Sequence, residues 1–102
     1  MNTTRTKHDN LLAKIAEAIQ AGQYVISNHA YQRAKDRFVP APHIEHVLLQ
    51  GFHEQKKDKF DEQFGSWNYA IRGTTPDQIK VRVVVTFTDT GLLVITVINL
   101  GQ

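Results

Sequence analysis

A histidine and two arginines recur at intervals of four: His29, Arg33 and Arg37. On a helix, at about 100° per residue, they fall within an arc of roughly 80°. Ala30, Ala34 and Phe38 follow over the next arc and read as the apolar stripe that faces the core. The His–Arg–Arg row should then run along the boundary between core and solvent, where a helix beside a sheet makes a cleft rim. An imidazole moves protons near neutral pH. Guanidiniums hold a phosphate bidentately and stabilise charge as it develops. Together they suit phosphodiester chemistry without a metal. The row also has a plainer reading: Arg33 pairs with Asp36 at i,i+3, Arg37 serves solubility, and His29 orders the first turn.

Arg82 is the second candidate, on the more polar face of a strand between Val81 and Val83. An arginine there has an anion or carboxylate partner, because an unpaired buried charge is costly. Alternatively it lies at an edge with its stem packed on the sheet. Thr96 falls in the partner strand, but a one-residue slip of register would move it to the other face. His43, His46 and His53 could be read as a metal set, yet no HExxH motif or supporting carboxylate accompanies them, and surface histidines are the better reading. Trp67 and Tyr69 could stack bases, although alternating strand positions favour core. No residue pattern calls for a cofactor.

Elements must position these side chains. Residues 1–8 are polar and read as frayed. Asp9 or Asn10 can cap a first helix, with Leu11, Leu12, Ile15, Ala16 and Ile19 as its stripe and Gly22 as its end. Tyr24-Val25-Ile26 reads as a brief strand. Ser27 caps a second helix reaching about Arg37, which Pro40 and Pro42 stop. Pro42 suits the first turn of a third helix, closed by Gly51 at a left-handed position. The period then changes to two: Trp67 to Ile71, Ile79 to Phe87, and Leu92 to Asn99 read as strands. Thr88-Asp89-Thr90-Gly91 is a hairpin connection in which Gly91 is free to take positive φ. Phe52 to Lys57 is a candidate edge strand. The expected fold is α+β, with helices first and then a three- or four-stranded antiparallel meander.

At 102 residues the chain has room for one domain. Hydrophobic residues at 41% and charged residues at 22% fit an ordinary globular composition rather than a disordered one. No run reaches the ~18 apolar residues of a membrane span, and the first residues lack the apolar core of a secretory signal, so the cytoplasm is the expected location. The absence of cysteine excludes disulfides, cysteine-ligated metals and a cysteine nucleophile. A net charge of +2 permits nucleic-acid binding without requiring it.

The order Tyr24-Val25-Ile26-Ser27-x-His29-Ala30-x-x-Arg33-x-x-x-Arg37, a proline-containing turn, Ile44-x-x-Val47-Leu48-x-x-Gly51, an aromatic strand and Val94-Ile95-Thr96-Val97 resembles a small bacterial domain family. That family looks like a branch of the RelE-like toxins, within the barnase–EndoU–colicin–RelE superfamily of metal-independent ribonucleases. The resemblance covers about residues 23–98. It implies N-terminal helices packed on a twisted antiparallel sheet, with RNA across the sheet face and an antitoxin protein as partner. It makes His29, Arg33, Arg37, Arg82 and Thr96 the family's polar positions. His29 would be the general acid or base, Arg33 and Arg82 would hold the scissile phosphate, and Arg37 and Thr96 would bind the rest of the RNA. In one departure, family members often have Glu-Arg-Gly-Ile where this chain has Asp36-Arg37-Phe38-Val39. Two rivals stand beside the ribonuclease: a non-catalytic RNA- or protein-binding module of the same fold, and an interaction domain whose His–Arg–Arg row docks an acidic surface.

Overall fold

A computed structural model describes residues 6–101. Three helices, α1 (Leu11–Gln20), α2 (Asn28–Asp36) and α3 (Ala41–Gln50), precede most of a sheet. Its strands are β1 (Tyr24–Ile26), β2 (Phe52–His53), β3 (Lys59–Asp61), β4 (Ser66–Thr74), β5 (Lys80–Thr88) and β6 (Gly91–Gly101). The class is α+β, as the change of period implies. The strand order is β1-β6-β5-β4-β2, with β3 also on β4. Six strands thus replace the expected three or four. β1 runs parallel to β6, and the other pairs are antiparallel. A three-residue strand carries too little pattern to announce its partner, so this pairing was not legible beforehand.

The edge segment after α3 differs from a continuous strand. Phe52–His53 pairs with β4 as β2, residues Gln55–Lys57 leave the ladder in a 3-10 turn, and β3 rejoins β4 further along. Gly51 is extended, at φ −80° and ψ −174°, rather than left-handed. Its glycine is required for a different reason. A Cβ there would lie 2.5 Å from the carbonyl oxygens of Arg72 and Val47, so only a bare Cα lets α3 end against β4.

Ile15, Ile44, Val47 and Leu48 from α1 and α3 pack against Tyr69, Ile71, Val81, Val83, Val85, Val94 and Val97. Each such side chain contributes about 1.5–3 kcal/mol when fully buried. In α1 the buried residues are Leu11, Ile15, Ala18 and Ile19, while the expected Leu12 is exposed. Asn10 does precede α1 but lends it no side-chain hydrogen bond; it stands left-handed at φ 52°, a conformation asparagine tolerates. The alternate sheet face carries Ala70, Arg72, Arg82, Val84, Thr96 and Ile98, as the ladder registers require. A register shift at Val84/Val85, with Ile95 as the extra residue of β6, sets Thr96 opposite Val84.

α2 begins as expected. Ser27 Oγ accepts from the Ala30 amide at 3.0 Å and donates to the Ile95 carbonyl at 3.2 Å. The Ser27 amide also donates to the Val94 carbonyl at 3.0 Å. At the far end, Asn99 Nδ2 donates to the Arg37 carbonyl at 3.4 Å. Both ends of α2 are therefore tied to β6, and the helix runs along that strand. Phe38 departs from the expected buried stripe: Ala30, Ala34 and Val39 are buried, but Phe38 is exposed at φ 59°.

Residues 1–5 of the segment expected to fray lie outside the described residues. Lys7 and His8 are packed rather than frayed. Lys7 Nζ pairs with Asp58 Oδ2 at 2.9 Å, and the His8 ring lies 4.7 Å from that of Phe87.

Candidate functional site

The alternate sheet face holds a charged cluster that pattern reading found only in part. Arg72 on β4 and Arg82 on β5 are direct cross-strand neighbours, an arrangement that would be repulsive without an anion. Glu54, just after β2, supplies it. Glu54 Oε1 accepts from Arg82 Nε at 2.7 Å and Oε2 accepts from Arg82 Nη2 at 3.1 Å, a bidentate fork. Arg72 Nη1 reaches the same Oε2 at 3.5 Å. Arg82 and Glu54 are largely shielded from solvent, whereas Arg72 keeps about a third of its side chain exposed, at 36%. The hydrogen bonds from Arg82 hold the Glu54 carboxyl below its ordinary range, against the opposing pull of burial. The same bonds push the Arg82 guanidinium further up. Of the two readings open for Arg82, the carboxylate-partnered one describes it. Thr96, opposite Val84, shares this face two residue pairs along the ladder from Arg82 and Ile98.

His29 and Arg33 stand exposed on α2, and Arg37 caps its end, half-buried. The row is formed as its spacing requires. It is not joined to Arg82, whose guanidinium turns toward Glu54 beyond β4, while α2 flanks β6 on the other side. Arg82 and Thr96 share the sheet face of Arg72, Arg82 is bonded to Glu54, and α2 with His29, Arg33 and Arg37 runs beside β6, the strand that carries Thr96. Arg33 does not pair with Asp36 either; Asp36 Oδ1 accepts from Gln32 Nε2 at 3.1 Å.

Sequence reasoning missed Arg72 and Glu54. Arg72 was reachable, since period two in β4 puts it on the face of a polar residue in the next strand. Glu54 was not, because its role depends on the pairing of β2 with β4, which sets the Glu54 amide on the Ala70 carbonyl at 2.8 Å.

A second polar cluster lies at the N-terminal end. Asp58, with only 1% of its side chain exposed, accepts from His53 Nε2 at 2.7 Å, from Lys7 Nζ, and from the Ala70 amide at 2.9 Å. Tyr69 is core, as its strand position favours; its hydroxyl accepts from the His8 amide at 2.9 Å, and burial pushes the phenol up. Trp67 is half-buried, edge-on to Phe60 with Lys7 Nζ 4.5 Å above its ring. Burial, then the nearby Lys14, lowers the His8 imidazole. Of the three histidines His43, His46 and His53, His43 Nδ1 lies 3.9 Å from Asp77 Oδ2 and His53 Nε2 pairs with Asp58 at 2.7 Å. Among the described residues no three His, Asp or Glu side chains gather as a metal site, and no helix is long and apolar enough to cross a membrane.

No curated protein and no solved structure matches the chain. A family model, described as a domain of unknown function (DUF4258), matches residues 26–99, which include α2, the Arg72–Glu54–Arg82 cluster and Thr96. That match spans well over half of the sequence, and the chain belongs to the DUF4258 family.

Proposed function

We propose that this protein is a metal-independent endoribonuclease of the toxin type, with its chemistry centred on Glu54, Arg72 and Arg82. The carboxylate bracketed by two guanidiniums carries the reading. A phosphodiester entering the cluster displaces Glu54 from the arginines, which then hold the non-bridging oxygens. Glu54, freed as a carboxylate, takes the proton of the ribose 2′-OH. The 2′-oxygen attacks phosphorus, the P–O5′ bond breaks, and the 5′-oxygen leaves with a proton from water. The products are a 2′,3′-cyclic phosphate and a 5′-hydroxyl. Arg82 and Arg72 stabilise the charge that grows on the phosphorane, and Thr96 contacts the RNA on the same face. His29, Arg33 and Arg37 serve the flanking backbone rather than the proton transfer.

The resemblance to RelE- and barnase-like folds supports the same reading, with cytoplasmic RNA as substrate and an antitoxin protein covering the sheet face. The test is cleavage of a mixed-sequence RNA by the purified chain in EDTA, with and without ribosomes, beside Glu54→Gln and Arg82→Ala. Cyclic-phosphate ends that disappear in both variants support it. No cleavage under either condition overturns it. A second reading, a non-catalytic binding module of the same fold, is favoured by the bidentate closure of Glu54 on Arg82; RNA binding that weakens with salt, without cleavage, would select it.

A further inference from the structure

We infer that the groove between α2 and α3 is the docking site for an acidic amphipathic segment of a partner protein. The inference is independent of the ribonuclease reading, because the groove and the Arg72–Glu54–Arg82 cluster share no residue.

The groove has a volume of about 670 Å³, and Tyr31, Ala34, Phe38, Val39, Pro42 and Ile44 form most of its lining. Phe38 is the unusual member. The Phe38 amide donates to the Lys35 carbonyl at 3.2 Å, and the Val39 amide donates to the Ala34 carbonyl at 2.8 Å. That pair of bonds is a Schellman cap, whose left-handed residue is usually glycine. Here a phenylalanine holds φ 59° and leaves its ring 83% exposed. A bulky residue in this conformation is a strained choice. The exposed ring returns little packing within the chain. Tyr31, two turns earlier on the same side of α2, is 61% exposed. Two aromatic rings displayed beside an aliphatic and proline-lined trough are anchors for a partner.

Charge decides what kind of partner. Lys35 lines the groove beside these rings, no acid lines it, and among the described residues the Lys35 side chain has no carboxylate partner. Asp36, the one acid of α2, is taken by Gln32. A second copy of this chain would bring Lys35 again and no acid to meet it, which disfavours a symmetric dimer through this groove. A nucleic-acid backbone would meet Lys35 but leave the aliphatic trough unfilled. A segment with aliphatic or aromatic side chains on one face and Asp or Glu beside them satisfies both.

The experiment uses a phage-displayed library of random peptides, selected on the immobilised full chain and counter-selected on Phe38→Ser. The expected result is enrichment of peptides rich in Asp and Glu, with apolar residues at helical spacing. The best peptide, made synthetically, should bind at least about tenfold more weakly to Phe38→Ser and to Lys35→Glu, and should shift amide resonances of residues 31–44 in the native chain. Lys35→Glu changes only an exposed side chain and keeps the test valid if Phe38→Ser misfolds. Failure of any peptide to enrich, enrichment of basic or neutral peptides, or equal binding by both variants overturns the inference. So does a concentration-dependent dimer of the free chain that Lys35→Glu strengthens.

Discussion

Arg82 Nε lies 2.7 Å from Glu54 Oε1, although β4 separates the strands that lead to the two residues. The contact exists because Glu54 continues the β2 alternation, its amide still donating to the Ala70 carbonyl of β4 at 2.8 Å. Its side chain then crosses β4 on the face that Arg72 and Arg82 share. Every chemical expectation for the site depends on this crossing.

Replacing Glu54 with Gln should slow RNA cleavage about 10²–10⁴-fold if it removes the general base. His29→Ala should leave the cleavage step nearly intact, since His29 is exposed on α2 and Arg82 is bonded to Glu54. Single-turnover cleavage of the same RNA by the two variants distinguishes them; the reverse ranking would return the proton transfer to His29.

The pH profile gives a separate check. With Glu54 held below its ordinary 4.5, the acid limb of kcat/KM should lie below that value. A limb near 6–7 would report an imidazole instead. The same shift affects stability. A carboxyl whose folded pKa lies below its unfolded value stabilises the fold above the unfolded value, and this is lost as pH falls through the folded one. Urea unfolding should therefore show a larger deficit of Glu54→Gln relative to the native chain at neutral pH than near pH 3.

Asp58→Ala should destabilise the fold by about 1–3 kcal/mol, because it strips the Ala70 amide of its acceptor in a shielded site. It should also release Lys7 and His8, seen as faster amide exchange at His8, whose amide donates to Tyr69. An unchanged urea midpoint would mean that water replaces the carboxylate without cost.

Gly51→Ala should destabilise more than an ordinary surface substitution, by about 1–3 kcal/mol, since its Cβ would press on two backbone carbonyls that cannot swing away. One of these belongs to Arg72, so the variant should also weaken RNA cleavage. Thermal unfolding and cleavage assayed on one preparation would show whether the two losses travel together.

Phe38→Gly should raise stability by about 1 kcal/mol, because glycine adopts the left-handed cap without the Cβ penalty. The same change should abolish peptide capture at the α2–α3 groove. A loss of stability would show that the ring packs within the chain more than its exposure indicates.

The helices and the main strands follow from local signals. Leu11, Ile15 and Ile19 at helical spacing, the Ser27 cap and Pro42 at the start of α3 are local signals. So is the alternation of Val81, Val83 and Val85 with polar neighbours, because side-chain direction follows the backbone period. That alternation also placed Arg82 on the polar face and asked for its carboxylate. Local signals do not encode which segments meet. The parallel pairing of β1 with β6, the bulge at Ile95 that fixes Thr96 on the Arg82 face, and the pairing of β2 with β4 that delivers Glu54 were all decided by tertiary packing. So was the placing of α2 beside β6. A helical row can be drawn from spacing, but the edge of the sheet it flanks is set by long-range hydrogen bonds such as those from Ser27 to Val94 and from Asn99 to Arg37. Their energy depends on contacts far apart in the chain, which no periodicity records.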